Sequence, residues 1–529
     1  MRFYPILCGL LFLLFTFPTQ AQPDPITFGQ LDAQYLTAAP FAADTAAEAV
    51  VLCDYGKTTI VREDAAKLQL RFDRITRIKI LKKSGFDWAK VQMPLLHNTP
   101  GYTEQVTELR GLTYNLVGGK VTQDKLVPTS AFLEKVTDQY SLYKFALPNV
   151  REGSVIEFSY SLTSDYILRF RGWEFQRSIP TRWSEYRAAI PHRFNYKMFV
   201  QRTQPLAIEQ VMGKDALLPR YRWAMQNVPA LRREPYMTTP NDYMNELTFE
   251  LADYSTSGVT RTWENIDEFL LTHDNFGRQL LQTSFLKTDV ARIPTGTADN
   301  VAQRLAAVRS LIIKNVKYTG VPGLLAADPL RRSYQETHQG TAATINLLLV
   351  AALRTAGFAA NPLLLSTRSH GRVQLNTPQL TQFDYVVAHV QLPDGEEVLL
   401  DATDPQLPYD LLPEQCLNQR GRLLGERAGT SRWVEVKPRH RHVQLHRVQL
   451  HVAPDGSFRG EAHEEHAGYA GAEARSELQE LGEKKFLQQI TNQHPSFTIS
   501  KAAVTNRDST RLPLSVDYTF AQAAEDTNS

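Results

Sequence analysis

The feature that most constrains the fold is an unbroken apolar run from Leu347 to Leu353. Gly340 precedes this run and Gly357 follows it, so the pattern predicts a helix that starts just after Gly340 and ends near Gly357. A helix that is apolar on all sides must be buried on most of its surface. The middle of the chain therefore needs a core built around this segment.

Two other helices precede this run, and strands follow it. Thr262 is placed to cap a helix that carries Ile266, Phe269 and Leu270. A second helix is predicted from about Thr297, with one apolar face made by Val301, Leu305, Val308 and Ile312. Strand patterns follow at 362–365, 385–390 and 398–400. Helices and strands in separate runs predict an α+β domain with antiparallel sheet character.

The flanking regions have the alternating pattern of strands. From about 49 to 250 apolar and polar residues alternate between turns, which predicts a β-sandwich-like or barrel-like domain. Alternation returns after about Arg432 and predicts a C-terminal β domain, and this pattern leaves open that the last domain is incomplete. With 529 residues the chain exceeds a single core of about 250–300 residues. We predict domains at 22–250, 251–428 and 429–529.

The first 21 residues have the pattern of a secretory signal peptide. Arg2 supplies the positive charge, Ile6 to Phe17 is apolar, and small residues end at Ala21, where we predict cleavage. The apolar run is shorter than the roughly 20 residues of a membrane-spanning helix, and no later segment approaches that length. The sequence predicts an exported protein, periplasmic or extracellular, without a membrane span.

Charge and cysteine content disfavour several classes of function. The 58 lysines and arginines nearly balance the 56 aspartates and glutamates, and no basic block stands out, so we expect no nucleic-acid partner. Only Cys53 and Cys416 follow the leader, which indicates that apolar cores rather than disulfides hold the fold. No phosphate-binding glycine loop or Gly-x-Ser-x-Gly turn is present, and we expect no cofactor.

Several stretches resemble a known family. They comprise 143–157, 173–176 and 179–180 in the first domain, and 340–353, 357, 367–368, 383–385 and 400–404 in the second. A weaker stretch is Gly468-Tyr469-Ala470 followed by Arg475. Together they are similar to exported bacterial proteins, of the kind found in Bacteroidetes, in which a DUF3857 domain precedes a transglutaminase-like domain. The resemblance implies a papain-like central fold.

The resemblance also implies where a catalytic triad would lie. In the family pattern the nucleophilic cysteine falls at Ala342, the histidine at Tyr385 and the carboxylate at Asp401. Alanine has no nucleophilic atom, and a phenol with an ordinary pKa of about 10 is a poor base at neutral pH. Only the third member of the triad is present, so the resemblance implies a transglutaminase-like domain without its covalent chemistry.

Substitute groups near these positions have alternative interpretations. Thr341 and Thr344 carry hydroxyls beside the vacant position, but each is also suited to satisfy N–H groups in the first helical turn. His338 and Asp404 are further candidate cleft residues, although a loop histidine is usually solvated. In a vacated cleft, Asp401 and Asp404 would be placed to bind a ligand, but a turn at 401–404 whose side chains bond their own backbone is favoured.

Three other side chains are weaker candidates for chemistry. His389 would share a face with Tyr385 but lie about 13 Å away along the strand, which favours a packing role. Cys416 lies outside any helix start, so a structural role is favoured over a nucleophilic one. The histidines at 440, 442, 446, 463 and 466 do not have a zinc-binding spacing, and we predict no metal site.

Three functions are compatible with these residues. The leading hypothesis is a non-catalytic binding or scaffold module whose partner is a polypeptide or a cell-envelope polymer. The rival is an active acyl-transfer enzyme or peptidase with a non-standard nucleophile. The third is a structural spacer. The sequence does not determine the oligomeric state.

Overall fold

The computed structural model describes residues 23–37, 44–62, 67–97, 102–136, 140–167, 169–214, 217–235, 237–253, 262–294, 301–427, 429–493 and 495–524. The predicted leader and the predicted helix start at Thr297 lie outside these residues. The chain divides into two compact units: 1–232 with 243–256, and 233–242 with 257–529. The second unit therefore contains the region predicted as the C-terminal domain and most of the region predicted as the central domain, whose residues 251–256 belong to the first unit.

The first unit is built from strands. After a short helix α1 (Gln34–Thr37), the strands are β1 (Ala49–Arg62), β2 (Leu68–Ile80), β3 (Lys90–Leu96), β4 (Glu104–Val117), β5 (Lys120–Lys125), β6 (Phe132–Lys135), β7 (Tyr140–Ala146), β8 (Val155–Ser164), β9 (Trp173–Glu174), β10 (Thr181–Ala189), β11 (Asn195–Gln201), β12 (Ile208–Met212), β13 (Arg220–Val228) and β14 (Glu246–Asp253). An eight-stranded sheet has the order β12-β13-β10-β1-β2-β8-β4-β5. Two three-stranded sheets, β11-β14-β9 and β3-β7-β6, complete the unit.

Charged pairs lie within the eight-stranded sheet. Arg74 of β2 binds Asp54 of β1 at 2.5 Å, and Arg77 of β2 binds Glu157 of β8 at 2.7 Å. Asp54 and Glu157 are almost completely buried. Because a buried carboxylate is stable only when it is paired, these bonds explain how the sheet keeps charges inside.

A glutamate pair across β14 and β9 makes the stability of the first unit depend on pH. Glu246 lies opposite Glu174 of β9. Burial, and then the neighbouring Glu174 charge, raise the pKa of Glu246 to about 7. Because the pKa of Glu246 is raised, folding favours the protonated carboxyl. The protonated group's contribution to the free energy of unfolding is fully present below the ordinary carboxyl pKa of 4.5 and is lost as pH rises through about 7.

Glu246→Gln should therefore stabilise the first unit at alkaline but not at acidic pH. We expect a gain on the order of 1 kcal/mol near pH 8 and almost none near pH 4, after allowing for partial exposure. Urea unfolding at both pH values measures the difference. Glu174→Gln is the matched control and should give a smaller gain, since it removes only the like charge. Equal effects of Glu246→Gln at both pH values would contradict this assignment.

The second unit begins with helices around the buried segment. They are α2 (Trp263–Thr272), α3 (Lys287–Val290), α4 (Val301–Asn315), α5 (Leu330–Arg332) and α6 (Ala342–Thr355). Thr262 caps α2 through a capping box with Asn265, as predicted, but Phe269 lies on the outer side of that helix and is 47% exposed. Every residue of α6 from Ala342 to Leu353 is buried, which confirms the prediction from its apolar run.

Strands cover the buried helix α6. After β15 (Lys317–Tyr318) and β16 (Gln339–Gly340), the strands β17 (Ala359–Leu365), β18 (Tyr385–Gln391), β19 (Glu397–Leu400), β20 (Arg420–Leu423) and β21 (Arg432–Glu435) form an antiparallel sheet of order β19-β18-β17-β20-β21. The predicted strands at 362–365, 385–390 and 398–400 all lie in this sheet. Helix α6 packs against β17 and β18.

The C-terminal region contains helices that the strand pattern did not predict. The strands β22 (His442–Val452), β23 (Phe458–Gly468), β24 (Thr498–Thr505) and β25 (Leu514–Gln522) form a sheet of order β22-β23-β25-β24. Between β23 and β24 lie α7 (Tyr469–Leu481) and α8 (Glu483–Gln493). The signal that was missed is the four-residue spacing of Ala470, Ala474 and Leu478, which are buried on one face of α7.

Candidate functional site

The start of helix α6 defines the candidate site. Thr341 is the N-cap, and its hydroxyl accepts a hydrogen bond from the N–H of Thr344 at 3.3 Å. A Cβ atom at Gly340 would lie 2.8 Å from Thr344 Cβ, so the close approach of the chain to the helix requires glycine there. Ala342 is therefore held at the first helical position, and it is completely buried.

The backbone N–H of Ala342 is already engaged. It donates to the carbonyl oxygen of Val321 at 3.0 Å. In acyl-transfer enzymes, free N–H groups near the nucleophile stabilise the developing oxyanion. This donor is occupied by the protein itself.

Tyr385 and Asp401 are hydrogen-bonded to each other. Tyr385 is the first residue of β18, and its hydroxyl donates to Oδ2 of Asp401 at 3.0 Å. The same hydroxyl lies 3.0 Å from Oγ1 of Thr403. Burial, and then the Asp401 charge, raise the pKa of Tyr385 far above the ordinary range of a phenol. Tyr385 therefore acts as a hydrogen-bond donor to the carboxylate and not as a base.

Asn346 links the helix to this pair. It lies one turn after Ala342 on the same face of α6, and its Nδ2 donates to Oδ2 of Asp401 at 2.6 Å. Its Oδ1 accepts from the N–H of Ala402 at 2.9 Å. Ala342 and Tyr385 belong to one buried cluster and Tyr385 bonds Asp401, so the structure brings together the three positions that the sequence singled out. Sequence reasoning did not select Asn346, although a polar residue directly before an apolar helical run was a visible signal.

The loop after β19 is held by its own side chains and by Arg309. Oδ1 of Asp401 accepts from the N–H and the hydroxyl of Thr403 at 2.8 and 2.5 Å, and Oδ1 of Asp404 accepts from the N–H of Gln406 at 2.8 Å. The buried guanidinium of Arg309, on α4, donates to the carbonyls of Asp401, Asp404 and Leu407. These bonds fit the turn interpretation of 401–404.

The position of Ala342 is packed and not an open cleft. It lies in an apolar cluster that includes Leu363, Leu365, Tyr385, Val387, Leu412 and Cys416. Ala342, Tyr385, Asp401 and Cys416 each have 0% exposure. The expectation of a vacated cleft at these residues is therefore wrong for this structure, because the tyrosine ring and the loop around Leu412 fill the space.

The other candidate cleft residues are dispersed. Thr344 is buried, and its hydroxyl lies 3.1 Å from that of Thr341. His338 is exposed, has a left-handed backbone with φ of 51°, and contacts the carbonyl of Asn315 through Nδ1. Asp404 is half-buried at the far end of its turn. His389 is buried in β18 beside Glu397, which fits a packing role.

Cys416 lies closer to the site than its sequence context indicated. Its thiol belongs to the same buried cluster as Ala342 and Tyr385. Burial, and then the charges of Asp401 and Asp384, raise the pKa of this thiol well above its usual range. An activated cysteine requires the opposite environment, with a nearby positive charge or imidazole.

The C-terminal histidines lie on two faces of their sheet. His463 bonds Asp517 and Glu465 at 2.7 and 3.0 Å on one face. On the other face, Glu464 lies between His446 and His466 at 3.4 and 3.7 Å. Across the described ranges, no group of three or more His, Cys, Asp or Glu side chains has an arrangement that could hold a metal ion. Within the same ranges, no helix is long and apolar enough to cross a membrane.

Comparison with known families identifies part of the first unit. Residues 71–232 match the model of a domain of unknown function, DUF3857. The chain contains a DUF3857 domain. No curated protein matches the sequence.

Comparison with solved structures covers most of the chain. A crystal structure described as a "putative protease" from Parabacteroides distasonis is 11% identical, with 90% of this chain and 93% of that chain covered and a TM-score of 0.52. This likeness shows a shared overall fold. A "putative cysteine protease" from Cytophaga hutchinsonii is 13% identical over 65% of this chain and 88% of that chain, with a TM-score of 0.20. The periplasmic domain of TgpA from Pseudomonas aeruginosa is 15% identical over 46% and 76%, with a TM-score of 0.17.

Proposed function

We propose that this protein is an exported, non-catalytic binding module with a transglutaminase-like core, whose partner is an extended polypeptide. The main support for a non-catalytic role is the buried trio of Ala342, Tyr385 and Asp401. The helix start, the strand position and the carboxylate that a thiol enzyme needs are in place. The two reacting groups are replaced by a methyl group and by a hydroxyl that donates to the carboxylate.

The surrounding contacts support the same proposal. Asp401 accepts from Tyr385, Asn346 and Thr403, so its lone pairs are used to hold the loop. A triad carboxylate would instead orient an imidazole. Since the carboxylate and the helix start are retained as packing elements, the core serves as a scaffold.

The rival, an active acyl-transfer enzyme or peptidase, needs another nucleophile. Thr341 and Thr344 have hydroxyls that bond each other and the helix start, and neither has a base among its described partners. A threonine requires an adjacent base to become nucleophilic. Cys416 has a thiol but no access to solvent and a raised pKa. These contacts favour the non-catalytic proposal.

A direct assay separates the two functions. The purified protein should show no amine incorporation into glutamine peptides and no peptide cleavage above the buffer rate. Thr341→Ala and Cys416→Ala are the informative variants, and Thr341→Ser is the control because it keeps the N-cap and a hydroxyl. Turnover in the wild type that either alanine variant abolishes would establish an enzyme and overturn this proposal.

The spacer hypothesis is tested by binding. A polypeptide partner requires an accessible surface, and the buried trio offers none. A library of immobilised extended peptides should retain the purified protein, whereas a spacer would not be retained by any of them.

A further inference from the structure

The outer edge of strand β22 is open along its whole length. β22 pairs with β23 without a break in register from His442–Gly468 to Val452–Phe458, and it is the last strand of its sheet. All eleven of its residues are exposed. Within the part of the chain that the structure describes, no strand pairs with its other side. An open edge of this kind presents backbone N–H and C=O groups to any extended chain beside it.

The edge has exposed apolar side chains and little of the usual protection. Edge strands are commonly guarded by charged side chains, above all lysine, by proline or by a bulge. β22 contains no lysine, proline or bulge, and Arg447 lies on the same face as Val443 and Leu445; the five apolar side chains lie on both faces. Val448, Leu450 and Val452 are 55%, 52% and 67% exposed. A long apolar edge is costly to leave in water, and it favours a partner strand.

One face of β22 opens onto a groove. Gln444, His446, Val448 and Leu450 form one wall of a cavity of about 710 Å³ between the sheet and helices α7 and α8. Much of the remaining lining is apolar, from Phe458, Phe486, Ile490, Phe497, Val516 and Phe520. In a partner strand beside β22, alternate side chains would point to this face and enter the groove.

The end of the groove nearest α7 is acidic. Glu464, Glu473 and Glu477 line it. Glu473 and Glu477 also line a neighbouring cavity of about 550 Å³, together with Asp404, Glu414 and Glu480. Among the described residues around these two cavities, none is a lysine or an arginine. The histidines of the groove lie beside Glu464, and His442 bonds Glu473 at 3.1 Å.

We infer that this groove, which we call the β22 groove, binds an extended polypeptide that adds a strand beside β22. Apolar side chains at alternate positions of this polypeptide would enter the groove. Lysine or arginine side chains on the same face of the polypeptide would meet Glu473 and Glu477. The inference rests on the proposed function and names its surface and the chemistry of its partner. Backbone bonds to β22 would supply affinity, and the groove and its charges would supply specificity.

A second copy of this chain fits the groove less well. The face of β22 that lines the groove carries no lysine or arginine, so a second β22 beside the first would bring neither residue to Glu473 and Glu477. A cationic strand supplies the complementary charge.

The test is the binding of a labelled twelve-residue valine–lysine peptide, measured by fluorescence anisotropy. Every second residue of this peptide is threonine, and the residues between them, which would face the groove, are valine except for a lysine at each end. Leu450→Lys places a charge in the groove and should weaken binding at least tenfold. Val443→Lys is the matched control, since Val443 is exposed on the same strand but points to the opposite face. Glu473→Gln with Glu477→Gln should also weaken binding about tenfold, whereas Glu461→Gln, on the face opposite the groove, should not.

Each outcome separates the groove from the broader function. A valine–glutamate peptide that binds as well as the valine–lysine peptide would overturn the cationic partner. Binding that Leu450→Lys leaves intact would overturn the groove while leaving a polypeptide-binding function. Failure to bind any peptide of the library would overturn both. A wild-type dimer that Leu450→Lys converts to a monomer would assign the edge to a second copy and overturn the peptide.

Discussion

Replacement of Asp401 by alanine is expected to destabilise the second unit by about 3–5 kcal/mol, because it leaves a buried polar network without its acceptor. The two carboxylate oxygens accept from Tyr385, Asn346 and Thr403, and the site is closed to water. The Nδ2 of Asn346 would keep only its bond to the carbonyl of Val386. Urea unfolding monitored by fluorescence measures the change.

Two variants make this expectation specific. Asp404→Ala removes a half-buried carboxylate that accepts a hydrogen bond from the N–H of Gln406, and it should cost no more than about 1 kcal/mol. Asp401→Asn keeps the shape but replaces one acceptor by a donor, so its cost should fall between those of the two alanine variants. Equal losses for Asp401→Ala and Asp404→Ala would show that the buried network is not what stabilises this loop.

The double variant Ala342→Cys with Tyr385→His is expected to create a thiol that reacts readily near neutral pH. The new imidazole would take the place of the Tyr385 hydroxyl against Asp401, and the sulfur would lie on the helix face that Asn346 shares. A neighbouring imidazolium and the helix start both favour the thiolate. Ala342→Cys alone should stay unreactive, since burial and the Asp401 charge oppose the thiolate.

The pH dependence of alkylation distinguishes these outcomes. In a Cys416→Ala background, the double variant should label on the order of tenfold faster near pH 6.5 than Ala342→Cys alone. Ala342→Cys with Tyr385→Asn is the control for changes in access, since it shortens the same buried side chain without adding a base, and it should label as slowly as Ala342→Cys alone. If the thiol at position 342 titrates at about 8.5, like a free cysteine, in both the double variant and Ala342→Cys alone, positions 342 and 385 do not form a pair.

Much of the core around the candidate site could be predicted from local pattern. The run from Leu347 to Leu353 requires burial, and Gly340 and Thr341 identify the helix start through close approach and capping. The strand at Tyr385 follows from a short, mostly apolar run, and the turn after Asp401 follows from side chains that bond their own backbone. Each of these signals involves residues near one another in the chain, where spacing alone determines geometry.

Contacts between distant residues were not predictable in this way. Asn346 and Arg309 hold the loop at Asp401 from two different helices, and Cys416 reaches the same cluster from a separate loop. Helices α7 and α8 were missed because the alternation on both sides of them masked a four-residue spacing. Packing across the fold decides which of these side chains meet.

The sequence by itself determined that a buried helix, a strand and a carboxylate turn would be present, and that an alanine stands where the resemblance implies a thiol. Only the tertiary structure decided that Ala342 is completely buried and that β22 is exposed. The physical reason is that composition specifies which groups a chain carries. Exposure depends on which neighbours cover them, and that is set by contacts between residues far apart in the sequence.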